Sequence, residues 1–165
     1  KFLDENYQGN INAYGGDFPV IRYAEVLLSY LESKLEAGHA LDQTLLDQTI
    51  NVVRSREAVD MPPVVETDRE KLREILRRER RVELAFEGLR LFDLLRWEIA
   101  HEKLNEKVYG IKLTNDPENY DEGFTIDDNG YYFFEQPVFE ERNYLWPIPQ
   151  SEIDINPNLE QNPGY

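Results

Sequence analysis

A run of arginine and glutamate residues constrains the fold of this chain more than any other feature. Residues 77–88 read RRERRVELAFEG, and residues 89–97 continue as LRLFDLLRW. Helical spacing assigns one apolar face to Leu72, Ile75, Leu76, Val82 and Phe86, with Glu79 and Glu83 on or beside it. A buried charge is tolerated mainly when it is paired. The block therefore predicts internal Arg–Glu pairing.

Two helices are predicted from this segment, over residues 67–88 and 89–104. Thr67 followed by Glu70 forms a capping box at the start of the first helix, and Gly88 suits its end. The second helix would bury a stripe made by Phe92, Leu95 and Ile99. We predict that the charges of both helices form a structural ion-pair network, made by Arg77, Glu79, Arg80, Glu83, Arg90, Asp93 and Arg96.

A carboxylate active site is the alternative interpretation of the same acids. Glu79, Glu83 and Glu87 fall in one i, i+4, i+8 column. A glycoside hydrolase uses two facing carboxyl groups roughly 5 to 9.5 Å apart. Here each acid has an arginine within one helical turn, which would lower the pKa of the acid and disfavour a general acid. We therefore predict a structural role for these acids and no catalytic residue.

Other motifs that carry chemistry are missing from the sequence. It contains no nucleophile elbow, phosphate loop or dinucleotide fingerprint. Its two histidines, His39 and His101, are isolated, and cysteine is absent. We predict no metal site and no cofactor.

Helical periodicity in the first hundred residues predicts a mainly α fold. After a loop over residues 1–17, an amphipathic helix runs from Phe18 to Ala37, and a second runs from an Asp42 cap to about Arg56. The buried face of the first helix is formed by Val20, Ile21, Ala24, Leu27, Leu28, Leu31 and Leu35. These two helices form an α-hairpin, and those at 67–88 and 89–104 form another. The expected architecture is two stacked α-hairpins, as in tetratricopeptide-like proteins.

Beyond about residue 104 the pattern predicts a small β-hairpin and an extended C-terminal tail. Residues 124–126 and 131–134 flank an Asp-Asp-Asn-Gly turn at 127–130. A calcium loop is the alternative for that turn, but its spacing does not fit an EF-hand. In the tail, Ser151 is predicted to cap a short helix with Glu152 in its first turn. Trp146 and Ile148 are predicted to anchor the tail.

Aromatic residues are the side chains on which sugar rings stack, so their exposure bears on function. Trp97 and Trp146 are predicted to pack rather than to bind. Tyrosines in the irregular region are better candidates for exposure, and these are Tyr120, Tyr131, Tyr132 and Tyr144.

The net charge of −15 excludes some classes of partner. Residues 66–103 balance ten basic against ten acidic groups, whereas residues 104–165 carry three basic and thirteen acidic groups. So acidic a surface repels phosphate backbones and anionic lipid, and we predict no binding to nucleic acid and no polybasic attachment to a membrane. Neutral ligands and protein partners remain open.

Four ordered blocks resemble the SusD/RagB family of nutrient-binding lipoproteins. These blocks are FPVIRYAEVLL at 18–28, INVVRSR at 50–56, the Arg–Glu block at 77–97, and WPIPQSEIDINPNLEQNPGY at 146–165. The resemblance implies a single domain over 1–165, with a helical scaffold at 18–104 and a hairpin and extended tail at 105–165. It also implies that the chain is a C-terminal part of a longer protein, whose N-terminal lipid anchor lies outside this sequence.

The function implied by the resemblance is capture without catalysis. SusD-like proteins collect oligosaccharides or other nutrients at the extracellular face of the outer membrane and pass them to a SusC-type TonB-dependent porin. Their sugar contacts come largely from segments upstream of this one, so no ligand-binding residue can be assigned here by resemblance. The alternatives are a glycoside hydrolase domain and a helical-repeat interaction adaptor.

Overall fold

The computed structural model describes residues 20–112 and 126–165, and the chain divides into two compact units, Lys1–Gly88 and Leu89–Tyr165. The described helices of the first unit are α1 (Tyr23–Glu36), α2 (Gln43–Asp47), α3 (Ile50–Arg54) and α4 (Arg69–Glu83). The second unit contains α5 (Arg90–Arg96), α6 (Ala100–Lys103), β1 (Val108–Lys112), β2 (Tyr131–Glu135), a 3-10 helix (Glu141–Tyr144) and α7 (Gln150–Ile155). The predicted mainly α class is confirmed.

The core of the first unit forms where α1 packs against α3 and α4. Its largest fully buried side chains are Leu28, Leu31, Leu35, Leu46, Thr49, Ile50, Leu72 and Leu76. Five residues of the predicted α1 face are confirmed as buried, namely Ala24, Leu27, Leu28, Leu31 and Leu35. Val20 and Ile21 are exposed because they precede the helix, which begins at Tyr23. The predicted helix residues Phe18 and Pro19 and the predicted loop at 1–17 lie outside the described residues.

The predicted helix from Asp42 to Arg56 is two short helices. The Asp42 carboxylate caps α2 as predicted, since it accepts a hydrogen bond from the Leu45 amide at 2.8 Å. The chain then breaks at buried Thr49, whose φ and ψ are −128° and −98°. The Thr49 hydroxyl donates to the Leu45 carbonyl oxygen at 2.5 Å. A hydroxyl bonded to the preceding turn competes with the helical pattern, and α3 begins again at Ile50.

Helix α4 begins and ends inside its predicted bounds. Asp68, not Thr67, caps it, because the Asp68 carboxylate accepts from the Lys71 amide at 3.1 Å. The helix ends at Glu83 with Leu84 as its C-terminal cap, so the prediction that Gly88 ends it was wrong, although Gly88 does have a left-handed φ of +79°. The capping box at Thr67 and Glu70 was therefore a wrong prediction.

Two residues of the predicted buried face of this helix are exposed. Phe86 follows the helix end, adopts a φ of +65° and is 97% exposed. Val82 lies six residues after Leu76, which is roughly 240° around the helix axis, and it faces solvent. The buried position after the helix is taken by Leu84. Val82 was therefore assigned to the wrong face of α4, and Phe86 was assigned to a helix that ends before it.

The predicted helix at 89–104 is also interrupted. Glu98 has a φ of +55°, which separates α5 from α6. Phe92 is exposed and Leu94 is buried, so the stripe predicted through Phe92 was wrong, while Leu95 and Ile99 are half-buried. Helix α4 belongs to the first unit and α5 and α6 to the second, and the second α-hairpin therefore stays a prediction.

A two-stranded antiparallel sheet forms between β1 and β2. The predicted turn at 127–130 is confirmed. The Gly130 amide donates to the Asp127 carbonyl oxygen at 2.9 Å, and Gly130 has a φ of +85°. The Asp127 carboxylate accepts from the amide of Tyr131 at 2.8 Å. Of the predicted partner strand, Ile126 forms a single bridge with Tyr132, and residues 124 and 125 lie outside the described residues. Strand β1 was not predicted.

The C-terminal tail is held by amide side chains rather than by its tryptophan. The Gln161 side chain accepts from the Ile148 amide at 2.8 Å and donates to the Ile148 carbonyl oxygen at 2.9 Å. Trp146 is 72% exposed, so its predicted packing role was wrong, whereas Ile148 is half-buried. Helix α7 begins after Pro149 without a side-chain cap, which makes the predicted Ser151 cap wrong, and Glu152 lies in its first turn as expected.

Candidate functional site

Acids at the C-terminal part of α4 meet arginines from two other parts of the first unit. Arg22 immediately precedes α1, and its guanidinium binds the Glu87 carboxylate through two atoms. The Arg22 Nε–Glu87 Oε2 distance is 2.9 Å and the Nη2–Oε1 distance is 2.7 Å. The Glu87 side chain is only 6% exposed. This geometry is the paired fork that arginine forms with carboxylates, and it is among the stronger charge-assisted contacts.

Glu83 is shared between two guanidinium groups. Arg22 Nη2 lies 2.9 Å from Glu83 Oε1, and Arg56 Nη2 lies 2.5 Å from Glu83 Oε2. Arg22 Nη2 also donates to the Glu83 carbonyl oxygen at 3.0 Å. The hydrogen bond to Glu87 is the largest cause that raises the pKa of Arg22 above its ordinary value, and burial opposes it. Arg22 therefore remains charged, and it fixes the end of α4 to the start of α1. We call Arg22, Arg56, Glu83 and Glu87 the arginine clasp.

Two further ion pairs tie α4 to its neighbours. Arg54 of α3 contacts Glu79, with an Nη1–Oε2 distance of 2.5 Å, and its Nε donates to the Pro62 carbonyl oxygen at 2.8 Å. Arg80 is buried, with its Nε 3.6 Å from Glu32 Oε2 on α1. Arg80 Nη1 donates to the Ser29 hydroxyl oxygen at 3.0 Å. Each of these contacts joins two different segments of the chain.

The seven residues predicted to form one network fall in both units. Arg77, Glu79, Arg80 and Glu83 lie on α4, and Arg77 is half-buried there. Arg90, Asp93 and Arg96 lie on α5. Asp93 is buried, and its Oδ1 accepts from Arg96 Nη2 at 2.7 Å. The Arg90 and Arg96 guanidinium carbons lie 6.0 Å and 4.9 Å from the Trp97 ring centroid. Trp97 itself is half-buried.

The arginines that bind Glu79, Glu83 and Glu87 were not predicted from the sequence. Arg22, Arg54 and Arg56 lie 25 to 65 residues from their partners. Pairing over such distances depends on how the helices pack, and no local spacing reports it. The available signal was indirect: Glu79, Glu83 and Glu87 were predicted on or near a buried face and so required cationic partners, but six of the twelve arginines lie outside the block and nothing in the sequence selects among them.

The chemistry open to the acidic column follows from these contacts. Glu79, Glu83 and Glu87 each contact at least one guanidinium group. A general acid must reach and protonate a leaving group, whereas each of these carboxylates is bound by a guanidinium group. The arrangement is therefore suited to fixing helices together and poorly suited to proton transfer.

Two grooves lie beside these elements, one in each unit. The groove of the first unit has a volume of about 260 Å³ and is lined by Arg22, Tyr23, Ala24, Leu27, Val52, Val53 and Arg56. The groove of the second unit has a volume of about 430 Å³ and is lined by Leu95, Glu98, His101, Glu141, Tyr144 and Leu145. In the second groove the Tyr144 hydroxyl lies 2.8 Å from His101 Nδ1, and it accepts from the His101 amide at 3.2 Å.

The tyrosines predicted to be exposed differ in their surroundings. Tyr131 is exposed on β2, while Tyr132 and Tyr144 are half-buried. Tyr120 lies outside the described residues. Tyr144 packs edge-on against Phe139, with ring centroids 5.0 Å apart. Tyr131 is therefore the predicted tyrosine whose ring is most available to a ligand.

Within residues 20–112 and 126–165, no three His, Cys, Asp or Glu side chains come together as a metal site would require. The Asp127 carboxylate instead accepts backbone hydrogen bonds of its own turn. The bond from the Tyr131 amide is the main cause that holds the pKa of Asp127 below its ordinary value. Every helix in the same described ranges is too short or too polar to cross a lipid bilayer.

The sequence model of the SusD family matches residues 1–165. The chain belongs to this family. It is 30% identical over 152 residues to SusD-like protein P2 of Formosa agariphila, covering 88% of this chain and 25% of that protein. Its fold is similar to that of a SusD-like carbohydrate binding protein from Bacteroides fragilis, with a TM-score of 0.79 and 48% identity over 86% of this chain and 28% of that one.

A second SusD-like protein from Bacteroides fragilis gives a TM-score of 0.68 and 32% identity, over 88% of this chain and 25% of that chain. This SusD-family chain thus spans about a quarter of the length of the relatives it matches. Its mainly helical fold is similar to the matched parts of the two Bacteroides fragilis structures.

Proposed function

We propose that this chain is part of a non-catalytic SusD-like protein that captures oligosaccharides at the cell surface and passes them to a SusC-type TonB-dependent porin. The observation that carries the proposal is the likeness to a SusD-like carbohydrate binding protein, at 48% identity over 86% of the chain. Family membership over residues 1–165 agrees with it. Because the chain spans about a quarter of its relatives, we assign it the role of one section of a longer protein.

In this proposal residues 1–165 act as one section, with a helical scaffold at 18–104 and a hairpin and tail at 105–165. The arginine clasp supports a scaffold role, because it joins the start of α1 to the end of α4 through largely buried charges. Such contacts orient helices and are lost together when the helices separate. A rigid support of this kind holds ligand-binding segments from elsewhere in the protein in a fixed arrangement.

The absence of catalysis is part of the same proposal. The three acids of the α4 column are engaged by Arg22, Arg54 and Arg56, which leaves the column unsuited to general acid chemistry. The mechanism is binding followed by transfer of an intact ligand. A glycoside hydrolase would instead need a carboxyl group free to protonate a leaving group.

We further propose that the protein is anchored by lipid at the extracellular face of the outer membrane and that its protein partner is the porin. The charge of −15 supports a role that does not involve nucleic acid. A position beside a porin would place the binding surface where released oligosaccharides diffuse past it.

The experiment that tests this function uses the longer protein that we propose contains this chain. It would be expressed with an affinity tag in a bacterium that carries the neighbouring porin, solubilised in mild detergent and purified. We expect the porin to co-purify, and calorimetric titration with oligosaccharides to show saturable binding. Retrieval of a soluble protein in place of the porin would favour a helical-repeat adaptor and contradict the proposal, as would an absence of oligosaccharide binding.

A further inference from the structure

The sheet of the second unit presents two lysines and three aromatic rings on one face. Residues opposed in antiparallel strands share a face, and Tyr109 is paired with Phe133 and Lys112 with Tyr131. The Tyr109 and Phe133 ring centroids are 6.1 Å apart in an edge-to-face arrangement. Lys112 Nζ lies 5.6 Å from the Tyr131 ring centroid, and Lys107 Nζ lies 6.0 Å from that of Phe133. We call these five residues the aromatic–lysine face.

The two lysines of this face belong to a segment of the sequence that is otherwise strongly acidic. Residues 104–165 carry thirteen acidic and three basic groups, and Lys107 and Lys112 are two of the three. Among residues 20–112 and 126–165, neither lysine forms an ion pair, and each ammonium group lies over an aromatic ring instead. Both lysines and the rings of Tyr109 and Tyr131 are exposed. Two cations thus border an accessible aromatic surface.

The backbone of the hairpin keeps the two faces of the sheet distinct. Tyr132 and Phe134 lie on the other face, with ring centroids 6.4 Å apart. Tyr132 also packs against the backbone of Gly110, where an added Cβ would lie 2.9 Å from Tyr132 Cδ1. The register shifts on either side of Tyr109, yet Tyr109 and Lys112 pair with Phe133 and Tyr131, which are alternate residues of β2 and therefore share a face.

We propose that the aromatic–lysine face binds an acidic oligosaccharide, with a pyranose ring stacked on Tyr109 or Tyr131 and a carboxylate or sulfate group held by Lys107 and Lys112. The proposal rests on the oligosaccharide-binding function proposed above and specifies the charge of the ligand. A neutral sugar has no anionic group with which two ammonium groups could form ion pairs. A long polyanion such as nucleic acid would extend over the acidic remainder of the unit, whereas a single sugar anion interacts mainly within the Debye length of about 8 to 10 Å.

Calorimetric titration of the chain with oligogalacturonate, and with the same oligosaccharide as its neutral methyl ester, tests the proposal. We expect the acid to bind at least about tenfold more tightly than the ester, with an affinity that falls as salt is added. Sulfated galactan oligosaccharides, titrated in parallel, distinguish a preference for sulfate from one for carboxylate. Replacing both lysines, as Lys107→Gln with Lys112→Gln, should weaken binding of the acid about tenfold or more. Lys103→Gln removes a lysine that is paired with Glu106 and should have little effect.

A second pair of variants tests whether the sugar ring stacks on Tyr109. Tyr109→Ala should weaken binding of the acidic oligosaccharide, while Phe134→Ala on the opposite face should not, and far-UV circular dichroism confirms that each variant is folded. Equal affinity for the acid and the ester would overturn the proposal, and so would the absence of binding by either anionic oligosaccharide. Full binding by the double lysine variant would do the same. None of these results bears on porin co-purification or on neutral ligands of the longer protein, which test the proposed function separately.

Discussion

Removal of the Glu83 carboxylate is expected to destabilise the first unit by about 2 to 4 kcal/mol. Glu83 forms an ion pair with Arg22 Nη2 at 2.9 Å and accepts a hydrogen bond from Arg56 Nη2 at 2.5 Å, and its side chain is 11% exposed. A hydrogen bond to a charged group contributes roughly 1.5 to 3 kcal/mol. The contact with Arg56 contributes at the low end of that range. The Arg56 side chain is 42% exposed, so water replaces part of the interaction when the Glu83 carboxylate is removed.

The Arg22 contact dominates the expected effect. In Glu83→Ala the Arg22 guanidinium keeps Glu87 but loses a second carboxylate while remaining largely buried. For a chain of this length, a loss of 2 to 4 kcal/mol lowers the melting temperature by roughly 4 to 16 °C.

Urea and thermal unfolding, followed by circular dichroism, measure the change. Glu74→Ala is the matched control, since Glu74 is an exposed acid of the same helix, and its effect should stay within about 0.5 kcal/mol. Glu83→Gln keeps the shape of the side chain and removes its charge, so its loss should fall between the two. A Glu83→Ala midpoint equal to that of the control would refute the reasoning, because it would mean that the contacts of Glu83 with Arg22 and Arg56 add nothing to folding.

Three other perturbations probe separate parts of the chain. Arg73 holds the pKa of Glu36 below its ordinary value, chiefly through a hydrogen bond. As pH falls, Glu36 is therefore protonated in the unfolded chain before it is protonated in the folded one. The stability that this contact adds is full above about pH 4.5 and is lost as pH drops through the lowered pKa. Glu36→Gln should remove that part of the pH dependence in acid unfolding curves, by less than about 1 kcal/mol because Glu36 is 46% exposed. Buried Asn51 accepts a hydrogen bond from the Val64 amide at 2.7 Å and donates one to the Val64 carbonyl oxygen at 3.0 Å. Asn51→Ala should therefore lower the free energy of unfolding by about 2 to 4 kcal/mol, measured with urea. A loss below about 0.5 kcal/mol would show that water replaces both bonds. Gly130→Ala forces an alanine to a φ of +85° and should destabilise the hairpin by roughly 1 to 2 kcal/mol, seen as faster amide exchange in β2, and unchanged exchange would contradict this.

Sequence patterns correctly predicted the parts of the fold that depend on contacts between residues close together in the chain. The buried face of α1 follows the 3.6-residue period, and Ala24, Leu27 and Leu31 lie where that period places them. Asp42 caps α2, and the turn at 127–130 forms from its own side chains and glycine. In each case the deciding contacts join residues within a few positions of one another, so one sequence is enough to indicate them.

The predictions failed where contacts between distant parts of the sequence determine the structure. The end of α4 at Glu83 is accompanied by the contact of its backbone carbonyl with Arg22, 61 residues away, and the exposed Phe86 follows from that ending. Strand β1 was missed because its partner β2 lies about 20 residues further along the chain, and no turn signal adjoins both. The sequence was enough to predict that the residues of the ion-pair network are charged and lie on helices. It was not enough to predict their partners, because the packing of the helices determines which charges meet.

The most direct measurement of binding without cleavage is a chromatographic analysis of an oligosaccharide recovered from the longer protein. The oligosaccharide would be incubated with saturating protein, released by denaturation and separated by chain length. We predict saturable binding and a length distribution identical to that of the untreated ligand, with no new reducing ends. Shorter products that disappear in Glu83→Gln would contradict a scaffold role for the α4 acids and would identify them as catalytic.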